Sequence, residues 1–218
     1  MVKLVVFDLD GTLADTLADL AASVNYALDQ CGLPTYPVDD YRYFVGNGVD
    51  NLVRTVLADH YTPERAAAVK KDFSAYYAGH SMDYTAAYPG LSDLLACLSD
   101  EGYLTAVISN KPDAFVPAIL RSLYPDYRFS YLSGQQPDIP RKPAPDALLR
   151  LLGTLGVSAE DTLYIGDSDV DVRFAHNADV KVCGVSWGFR GRGELTQAGA
   201  DAIADTADEL LRIIHEHS

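Results

Sequence analysis

The chain is short of cysteine, of positive charge and of long apolar runs. Its three cysteines are an odd number in 218 residues and are widely spaced, which fits reduced thiols better than a disulfide framework or a metal knuckle. Only 17 basic residues stand against 31 acidic ones, a formal net charge of -14, so the basic face that nucleic acid requires is not expected. No apolar run approaches the length of a membrane span, and the amino terminus lacks a charged-then-apolar signal segment. We therefore expect a cytoplasmic protein, monomeric or homodimeric, without a nucleic-acid or membrane partner.

The rest of the composition is that of an ordinary soluble protein. Hydrophobic residues make up 48% of the chain and charged residues 22%, which indicates neither disorder nor a fibrous class. The length allows one good hydrophobic core and a smaller second unit, so the chain can fold alone.

Residues 3–13 (KLVVFDLDGTL) combine an apolar run with two carboxylates and a glycine. Residues 4–7 are continuously apolar and stop at a turn signal, which predicts a strand buried on both faces. Asp8 and Asp10 then lie at the carboxyl end of this strand, where open α/β sheets bind ligands, and alternation points both side chains the same way. Two like charges this close repel unless a cation lies between them, and a hard divalent ion such as magnesium suits carboxylate oxygens. The alternative is a solvated strand end whose aspartates cap a helix.

Helical periodicity follows this strand over three amphipathic segments. The next convincing strand, residues 104–108, comes almost a hundred residues after the first, far more than a parallel crossover requires. From residues 88–90 onward helices and strands alternate, with one helix predicted to open at Pro112, which is typical of a doubly wound sheet. We therefore predict an α/β protein with a mainly parallel, Rossmann-like sheet formed by residues 1–14 and 83–218. An α-helical cap domain, residues 15–82, is predicted to be inserted after the first strand.

Later segments carry further polar residues that suit a binding site. Ser109, Asn110, Asp167 and Asp171 lie at or near the ends of predicted strands, and Lys142 lies in a Pro-rich loop. If the strand ends share one edge of a parallel sheet, these groups meet Asp8 and Asp10 in one crevice. Carboxylates bind a small divalent cation, whereas a lysine and hydroxyl donors bind a phosphoryl group. Taken singly, Ser109 and Asn110 also fit a turn followed by a helix cap, and Lys142 also fits a solvated loop lysine. Asp167 and Asp171 also fit the acidic first turn of a helix, where they suit the helix dipole.

With these motifs the chain resembles the haloacid dehalogenase-like hydrolase superfamily and, within it, the phosphoglycolate phosphatase-like group. The first motif is DLDGT at residues 8–12, the second is Ser109-Asn110, the third is Lys142 in the tripeptide RKP, and the fourth is GDSDVD at residues 166–171. Four short motifs in this order on alternating strands are hard to obtain by chance. The resemblance implies a helical cap inserted just after the first motif, and a magnesium-dependent phosphatase that passes through an aspartyl phosphate.

The chemistry of such a reaction suggests a role for each acid. Asp8 is expected to attack phosphorus in line, and Asp10 to protonate the leaving alkoxide and then take a proton from the attacking water. Mg2+ is expected to be held by the Asp8 side chain, by Asp167 and, as the resemblance implies, by the backbone carbonyl of Asp10. Asp171 is expected to orient Lys142 or a metal-bound water.

The remaining expected contacts are to the phosphate and to the rest of the substrate. Charge on the equatorial phosphate oxygens is expected to be stabilised by Lys142 and by donors of Thr12, Ser109 and Asn110. The run Gly46-Asn47-Gly48 predicts a loop with unusual backbone angles between two helices. Similar sequences in the resembled group place this loop over the active site, so Gly46 and Asn47 are expected to contribute to substrate choice. A plain turn between helices explains the segment equally well.

The expected substrate is a small organic phosphate monoester that resembles phosphoglycolate. Two other functions fit parts of the pattern. A phosphosugar mutase of the same superfamily shares the aspartyl phosphate, and a phospho-accepting signalling module on a doubly wound fold also clusters acids and a lysine at strand ends. Asp10 and the large cap favour the phosphatase over the module, because a receiver needs neither a leaving-group acid nor a lid that excludes water.

Overall fold

A six-stranded parallel sheet forms the centre of the protein in a computed structural model that describes residues 2–217. The strands in chain order are β1 (Leu4–Phe7), β2 (Ala14–Asp15), β3 (Ala86–Ala87), β4 (Leu104–Pro112), β5 (Tyr131–Gln135), β6 (Thr162–Gly166), β7 (Lys181–Val185) and β8 (Ala202–Ala204). The main sheet has the order β5-β4-β1-β6-β7-β8, and β2 pairs with β3 in a separate antiparallel sheet. The chain builds outward from β1 in both directions, so β1 lies at the topological switch point where open α/β sheets form a crevice.

Ten α-helices are present in the described part of the chain. They are α1 (Leu17–Gln30), α2 (Tyr41–Phe44), α3 (Gly48–Leu57), α4 (Pro63–His80), α5 (Leu91–Asp100), α6 (Val116–Leu123), α7 (Asp146–Leu155), α8 (Asp169–His176), α9 (Gly191–Ala198) and α10 (Ala207–Glu216). The first four lie between β2 and β3 in the chain, and the other six alternate with the strands of the main sheet.

Alternation along β1 sends its side chains into two apolar cores on opposite faces of the sheet. Val5 and Phe7 belong to the core that includes residues of α5, α6 and α10. Leu4 and Val6 belong to the core that includes residues of α7, α8 and α9. All four side chains are fully buried, as a strand covered on both faces requires. The predicted fold class, a doubly wound and mainly parallel α/β sheet, is confirmed.

The register of the central strands brings their carboxyl ends to one edge. Phe7 of β1 pairs with Val107 of β4 and with Ile165 of β6. Because all three strands are parallel, the residues that follow each of these positions emerge at the same side of the sheet. This edge is where the motifs found in the sequence meet.

Some elements differ from the sequence prediction. Strand β4 continues through the second motif to Pro112, where it pairs with Gln135 of β5 after a register shift, so α6 begins at Val116 and not at Pro112. Helix α2 and the strands β2 and β3 are too short to show a periodicity. Helix α9 was missed because it buries only Leu195 and therefore has no apolar stripe.

Helices α1–α4 enclose an apolar cluster of their own. Its buried members come from Leu17 to Tyr77, with Phe189 added from beyond the segment. Helix α4 begins as predicted, with Pro63 in its first turn and the Thr62 side chain accepting a hydrogen bond from the backbone N–H of Arg65. The chain passes twice between this helical unit and the main sheet, and the two crossing segments pair with each other as strands β2 and β3. That residues 15–82 form an inserted cap domain stays a prediction.

Asp19 in the first turn of α1 ties the helical unit to the second crossing. Its buried carboxylate accepts hydrogen bonds from the backbone N–H groups of Tyr84 and Thr85 and from the Thr85 hydroxyl, at 2.7 to 3.1 Å. Tyr84 and Thr85 precede β3, whereas α1 follows β2, so this carboxylate holds both crossings at one point. Burial of a carboxylate is tolerated when several donors satisfy it in this way.

The cysteines lie apart and carry free thiols. Cys31 and Cys97 are half-buried, and Cys183 is buried in β7. Among residues 2–217, no helix combines the length and the apolar character that a bilayer crossing requires.

Replacing Asp19 by Asn is expected to lower the free energy of unfolding by about 2–4 kcal/mol, because a neutral amide accepts more weakly and turns its own N–H groups toward the donors of Tyr84 and Thr85. The measurement is equilibrium unfolding in urea. Asp29→Asn, at an exposed position of the same helix, is the matched control and is expected to change the value by less than about 0.5 kcal/mol. Equal losses in the two variants would contradict the role assigned to Asp19.

Candidate active site

The carboxyl ends of the central strands bring together the polar residues that the sequence analysis singled out. Asp8 follows β1, Ser109 and Asn110 lie in the last part of β4, and Asp167 follows β6. Lys142 reaches the same edge from the loop between β5 and α7. The predicted site residues that are buried are Asp8, Thr12, Ser109, Asn110, Lys142, Asp167 and Asp171. Since buried polar groups need partners, their contacts define what the site can do.

Lys142 is the cation between two of these carboxylates. Its Nζ lies 3.0 Å from Asp8 Oδ1 and 2.7 Å from Asp171 Oδ1, and it donates to the Tyr164 hydroxyl oxygen at 3.0 Å. Burial disfavours the charged ammonium, but Asp171 and Asp8 outweigh this effect and raise the pKa of Lys142. Lys142 is therefore a fixed positive charge at the sheet edge and not a solvated loop lysine.

Three carboxylates meet at this edge. Asp8, Asp167 and Asp171 place oxygens within 4.8 Å of one another. Asp171 has both oxygens engaged, because Oδ1 accepts from Lys142 and Tyr164 and Oδ2 accepts from the N–H and the hydroxyl of Ser168. Burial raises the pKa of Asp8 to about 7 in spite of Lys142, and burial with the neighbouring carboxylate charges raises the pKa of Asp167. Asp8 and Asp167 therefore have too little positive charge around them, and a cation between them would relieve this.

Two glycines fix the side chain of Asp167. The backbone N–H of Phe189 donates to Asp167 Oδ2 at 2.7 Å. Gly11 and Gly188 pack so closely against the carboxylate that a Cβ at either position would collide with it, and Gly11 also has a φ of +83°, which favours glycine. The glycine of the first motif is therefore required for contact with the fourth motif as well as for the turn.

Asp10 has partners of its own outside this cluster. Its Oδ1 accepts from Thr16 Oγ1 at 2.7 Å and from Lys111 Nζ at 2.9 Å, and its Oδ2 lies 3.3 Å from the same ammonium. The prediction that Asp10 binds metal concerns its backbone carbonyl and is compatible with these side-chain contacts. Thr16 and Lys111 were missed from the sequence. Lys111 did carry a signal, since it directly follows Ser109-Asn110 in β4.

The residues expected to donate to phosphate fall into two groups. Thr12 Oγ1 is buried without a hydrogen-bond partner among residues 2–217, and Ser109 lines the pocket beside Asp8. The Asn110 side chain instead holds two loops, since Nδ2 donates to the carbonyls of Gly46 (2.9 Å) and Lys142 (3.2 Å) and Oδ1 accepts from the Lys142 N–H (2.9 Å). A donor role for the Asn110 side chain would require these contacts to break.

Residues 45–47, between α2 and α3, are held over the pocket by side chains from the sheet side. Three consecutive carbonyls accept hydrogen bonds at 2.9 to 3.1 Å, that of Val45 from Arg190, that of Gly46 from Asn110 and that of Asn47 from Arg141. We term these three contacts the loop latch. Gly46 and Gly48 have φ of +104° and +79°, which confirms the unusual backbone angles predicted for this loop. Gly46 lines the pocket, and Asn47 offers its carbonyl to Arg141.

The pocket beneath the loop latch is lined mostly by apolar side chains. Its polar lining includes Asp8, Asp10, Ser109, Asn110 and Lys111. The apolar wall includes Leu20, Val45, Val49, Leu52, Phe73 and Phe115. A carboxylate paired with Lys142, beside the hydroxyl of Ser109 in a pocket lined mostly by apolar side chains, can bind a phosphoryl group and limit the water around it.

Known proteins resemble this chain over nearly its whole length. A family model described as haloacid dehalogenase-like hydrolase matches residues 5–185. A phosphoglycolate phosphatase from Pasteurella multocida is 35% identical over 219 residues, which cover 97% of this chain and 98% of that protein. The crystal structure of a protein from Lactobacillus delbrueckii subsp. bulgaricus matches with a TM-score of 0.92 at 35% identity, covering 97% of this chain and 98% of the other. That of a predicted phosphoglycolate phosphatase from Haemophilus somnus has a TM-score of 0.90 at 32% identity and 97% coverage of both chains.

Arg141→Met removes one contact of the loop latch and the 3.0 Å contact from Arg141 Nη2 to Asp50 Oδ2. The loss of about 1 kcal/mol of local stability is expected to speed amide hydrogen exchange of residues 44–49 by about 5- to 10-fold. Arg150→Met, an exposed substitution on α7, is the control and is expected to leave this exchange unchanged. If exchange of residues 44–49 is the same in both variants, the latch does not hold the loop.

Proposed function

The chain belongs to the haloacid dehalogenase-like hydrolases and to their phosphoglycolate phosphatase-like group, and on this premise we propose that it hydrolyses a small organic phosphate monoester through an aspartyl phosphate, with magnesium as its metal. The observation that carries this proposal is the buried position of Lys142 between Asp8 and Asp171, beside Asp167. The unpartnered hydroxyl of Thr12 adds a donor. A nucleophile, a fixed positive charge and a donor thus share one buried site.

The carboxylate cluster fits a hard divalent cation. Asp8 and Asp167 are buried and close together with raised pKa values, whereas Asp171 is engaged with Lys142 and Ser168. We therefore assign the side chains of Asp8 and Asp167 and the backbone carbonyl of Asp10 to Mg2+, and Asp171 to positioning Lys142. When bound, the metal would screen phosphate charge from the nucleophile and stabilise charge on the transferred group.

The proposed reaction has two displacements at phosphorus. Asp8 attacks, the bond from phosphorus to the ester oxygen breaks, and that oxygen leaves with the electron pair and takes a proton from Asp10. A water then attacks the phosphorus of the aspartyl phosphate and gives its proton to Asp10, so phosphate leaves and Asp8 is restored. Asp10 suits this role because it lines the same pocket as Asp8 and is held in place by Thr16 and Lys111.

The remaining residues would bind and orient the substrate. Lys142, Thr12 and Ser109 would stabilise charge on the equatorial phosphate oxygens. Asn110 would support them through the backbone of Lys142, which it holds by two hydrogen bonds. The loop with Gly46 and Asn47 would close over the ester and contribute to substrate choice.

Two features favour a phosphatase over the other candidate functions. The mostly apolar wall offers few partners to the hydroxyl groups of a sugar phosphate, which a phosphosugar mutase has to hold and turn. A phospho-accepting signalling module needs no leaving-group acid, such as Asp10, in a pocket lined mostly by apolar side chains. A phosphoglycolate-like substrate agrees with the named activity of the relatives. The cytoplasmic location and the monomeric or homodimeric assembly stay predictions.

Asp8→Asn is expected to lower phosphate release by about 10⁴-fold or more, because an amide cannot replace the nucleophile. Asp10→Asn is expected to lower kcat by about 10²- to 10⁴-fold through loss of proton transfer. The measurement is phosphate release from a panel of small phosphate esters that includes phosphoglycolate and a sugar phosphate, with magnesium present.

The control for both variants is Asp126→Asn, which changes an exposed carboxylate outside the four motifs and is expected to turn over normally. Normal turnover by Asp8→Asn would contradict the assignment of Asp8 as the nucleophile. Isomerised sugar phosphate in place of free phosphate would show a mutase.

Magnesium is expected to stabilise the protein, and more strongly at pH 8 than at pH 5. The folded-state pKa of Asp8 is about 7, above its ordinary value, and that of Asp167 is raised as well. Without a cation, the stability due to their protonated forms is present below about pH 4 and is lost as the pH rises through about 7. Bound Mg2+ offsets this loss. At a Mg2+ concentration about 100 times its Kd, the free energy of unfolding is expected to rise by about 2.7 kcal/mol, which raises the thermal midpoint by roughly 5–10 °C.

Thermal unfolding with and without magnesium at both pH values measures this effect, with sodium chloride at equal ionic strength as the salt control. Asp167→Asn is expected to remove most of the magnesium shift at pH 8. A shift of full size in Asp167→Asn would place the metal elsewhere.

A further inference from the structure

Residues 187–190, between β7 and α9, contact both the buried acids and the helical unit. We term these four residues the bridging segment. The proposed reaction uses none of their side chains, yet the segment touches the first motif, a proposed metal ligand and the loop over the pocket. Its four residues make four different contacts, and their order along the chain shows what the segment connects.

The first half of the bridging segment is fixed against two of the motifs. Trp187 Nε1 donates to the carbonyl of Thr12 at 3.1 Å. At Gly188 a Cβ would collide with the Asp167 side chain and with the Gly11 carbonyl, so the backbone of the segment packs directly on both. Closely packed backbone of this kind transmits a displacement instead of absorbing it.

Phe189 contacts the site through its backbone and the helical unit through its side chain. Its N–H donates to Asp167 Oδ2 at 2.7 Å. Its side chain is 7% exposed and, among the described residues, is the one buried member of the apolar cluster of α1–α4 that comes from outside residues 17–77. Because the N–H and the ring are joined through a single Cα, a movement of the helical unit that carries the ring also moves the donor of Asp167.

Arg190 extends the connection to the loop over the pocket. Its Nη2 donates to the Val45 carbonyl at 3.0 Å, which is one contact of the loop latch. Its guanidinium carbon lies 5.3 Å from the ring centroid of Tyr43, and its Nε lies 3.7 Å from Glu194 Oε1. The side chain is only 9% exposed. The residue that holds the loop therefore directly follows the residue that holds Asp167.

We propose that the bridging segment couples Asp167 to the loop over the pocket, so that Mg2+ binding and the latched position of residues 45–47 stabilise each other. This inference rests on the proposed metal site and adds a connection between that site and the helical unit. Coupling between two sites is carried by packed side chains and hydrogen bonds, and it acts with equal strength in both directions. Phe189 and Arg190 are positioning residues in this arrangement.

The size of the effect follows from the hydrogen bond to Asp167. Such bonds orient a metal-binding carboxylate, and removing one typically lowers metal affinity by about 10- to 100-fold. A bridging segment that has lost its anchor in the helical unit keeps the Phe189 N–H but lets it move away from the carboxylate. We therefore expect a smaller loss of Mg2+ affinity, about 5- to 20-fold.

The first test uses the parent protein with Mg2+ alone. Saturating Mg2+ is expected to slow amide hydrogen exchange of residues 44–49 by about 5- to 20-fold, because opening of the loop has to overcome the coupling to the bound metal. Residues 101–103, before β4 at the opposite edge of the sheet, are the internal control with unchanged exchange. Sodium chloride at equal ionic strength is the salt control. If Mg2+ binds and exchange of residues 44–49 stays the same, the coupling is wrong.

The second test measures the Kd of Mg2+ by calorimetric titration in variants that keep every proposed metal ligand. Phe189→Ala is expected to raise this Kd by about 5- to 20-fold, and Phe189→Leu, which keeps an apolar side chain, by less than about 3-fold. Arg190→Met removes the contact to Val45 and is expected to raise the Kd by about 3- to 5-fold.

Leu28→Ala is the matched control for Phe189→Ala. Leu28 is buried in the same apolar cluster but lies on α1 about 16 Å along the helix from Leu17. Both substitutions leave a cavity in the cluster and lower the thermal midpoint. Only Phe189→Ala also loosens the donor of Asp167, so Leu28→Ala is expected to keep the Mg2+ Kd of the parent.

The outcomes separate this inference from the function beneath it. If Phe189→Ala and Leu28→Ala have the same Mg2+ Kd, Phe189 contributes only to stability, and the coupling is wrong while the phosphatase stands. If the parent does not bind Mg2+, the proposed metal site fails, and the inference with it.

Discussion

The ion pairs of Lys142 are the interaction on which the site depends. Asp8 and Asp171 share this buried ammonium at 3.0 and 2.7 Å, and a buried carboxylate left without a counter-charge costs several kcal/mol. Asn110 holds the backbone of Lys142, and the Tyr164 hydroxyl accepts from its ammonium. One lysine from a loop thus connects the ends of β1, β4 and β6 with the start of α8. The motifs form one electrostatic unit and not four separate sites.

The parallel sheet explains why groups so distant in sequence reach this lysine. The central strands are in register and end at one edge, so every residue placed just after them is delivered to the same crevice. The helical unit is brought over that crevice by different means, through Asp19 at the paired crossings and through the loop latch at residues 45–47. The wall of the pocket is therefore built from both, with Leu52 and Phe73 from the helices and Ser109 and Lys111 from β4.

The features that could be predicted from the sequence are those with a local pattern. Strand β1 is recognisable as an apolar run, and the position of Asp8 at its carboxyl end follows from strand geometry. The contacts of Lys111, Asp19 and Arg141 could not be predicted, because each pairs with a group far away in the chain and no spacing encodes such a partner. The contacts of Asn110 have the same origin: its side chain, expected to donate to phosphate, also bonds to the backbone of two loops that are distant in the chain.

The charge balance of the site requires an additional positive charge, and this requirement holds independently of family resemblance. The ionisable side chains are four carboxylates and two ammonium groups, those of Asp8, Asp10, Asp167, Asp171, Lys111 and Lys142. When all are ionised, two negative charges remain unmatched, and burial together with the neighbouring carboxylate charges raises the pKa values of Asp8 and Asp167. One divalent cation would neutralise this surplus and leave Asp8 charged as a nucleophile.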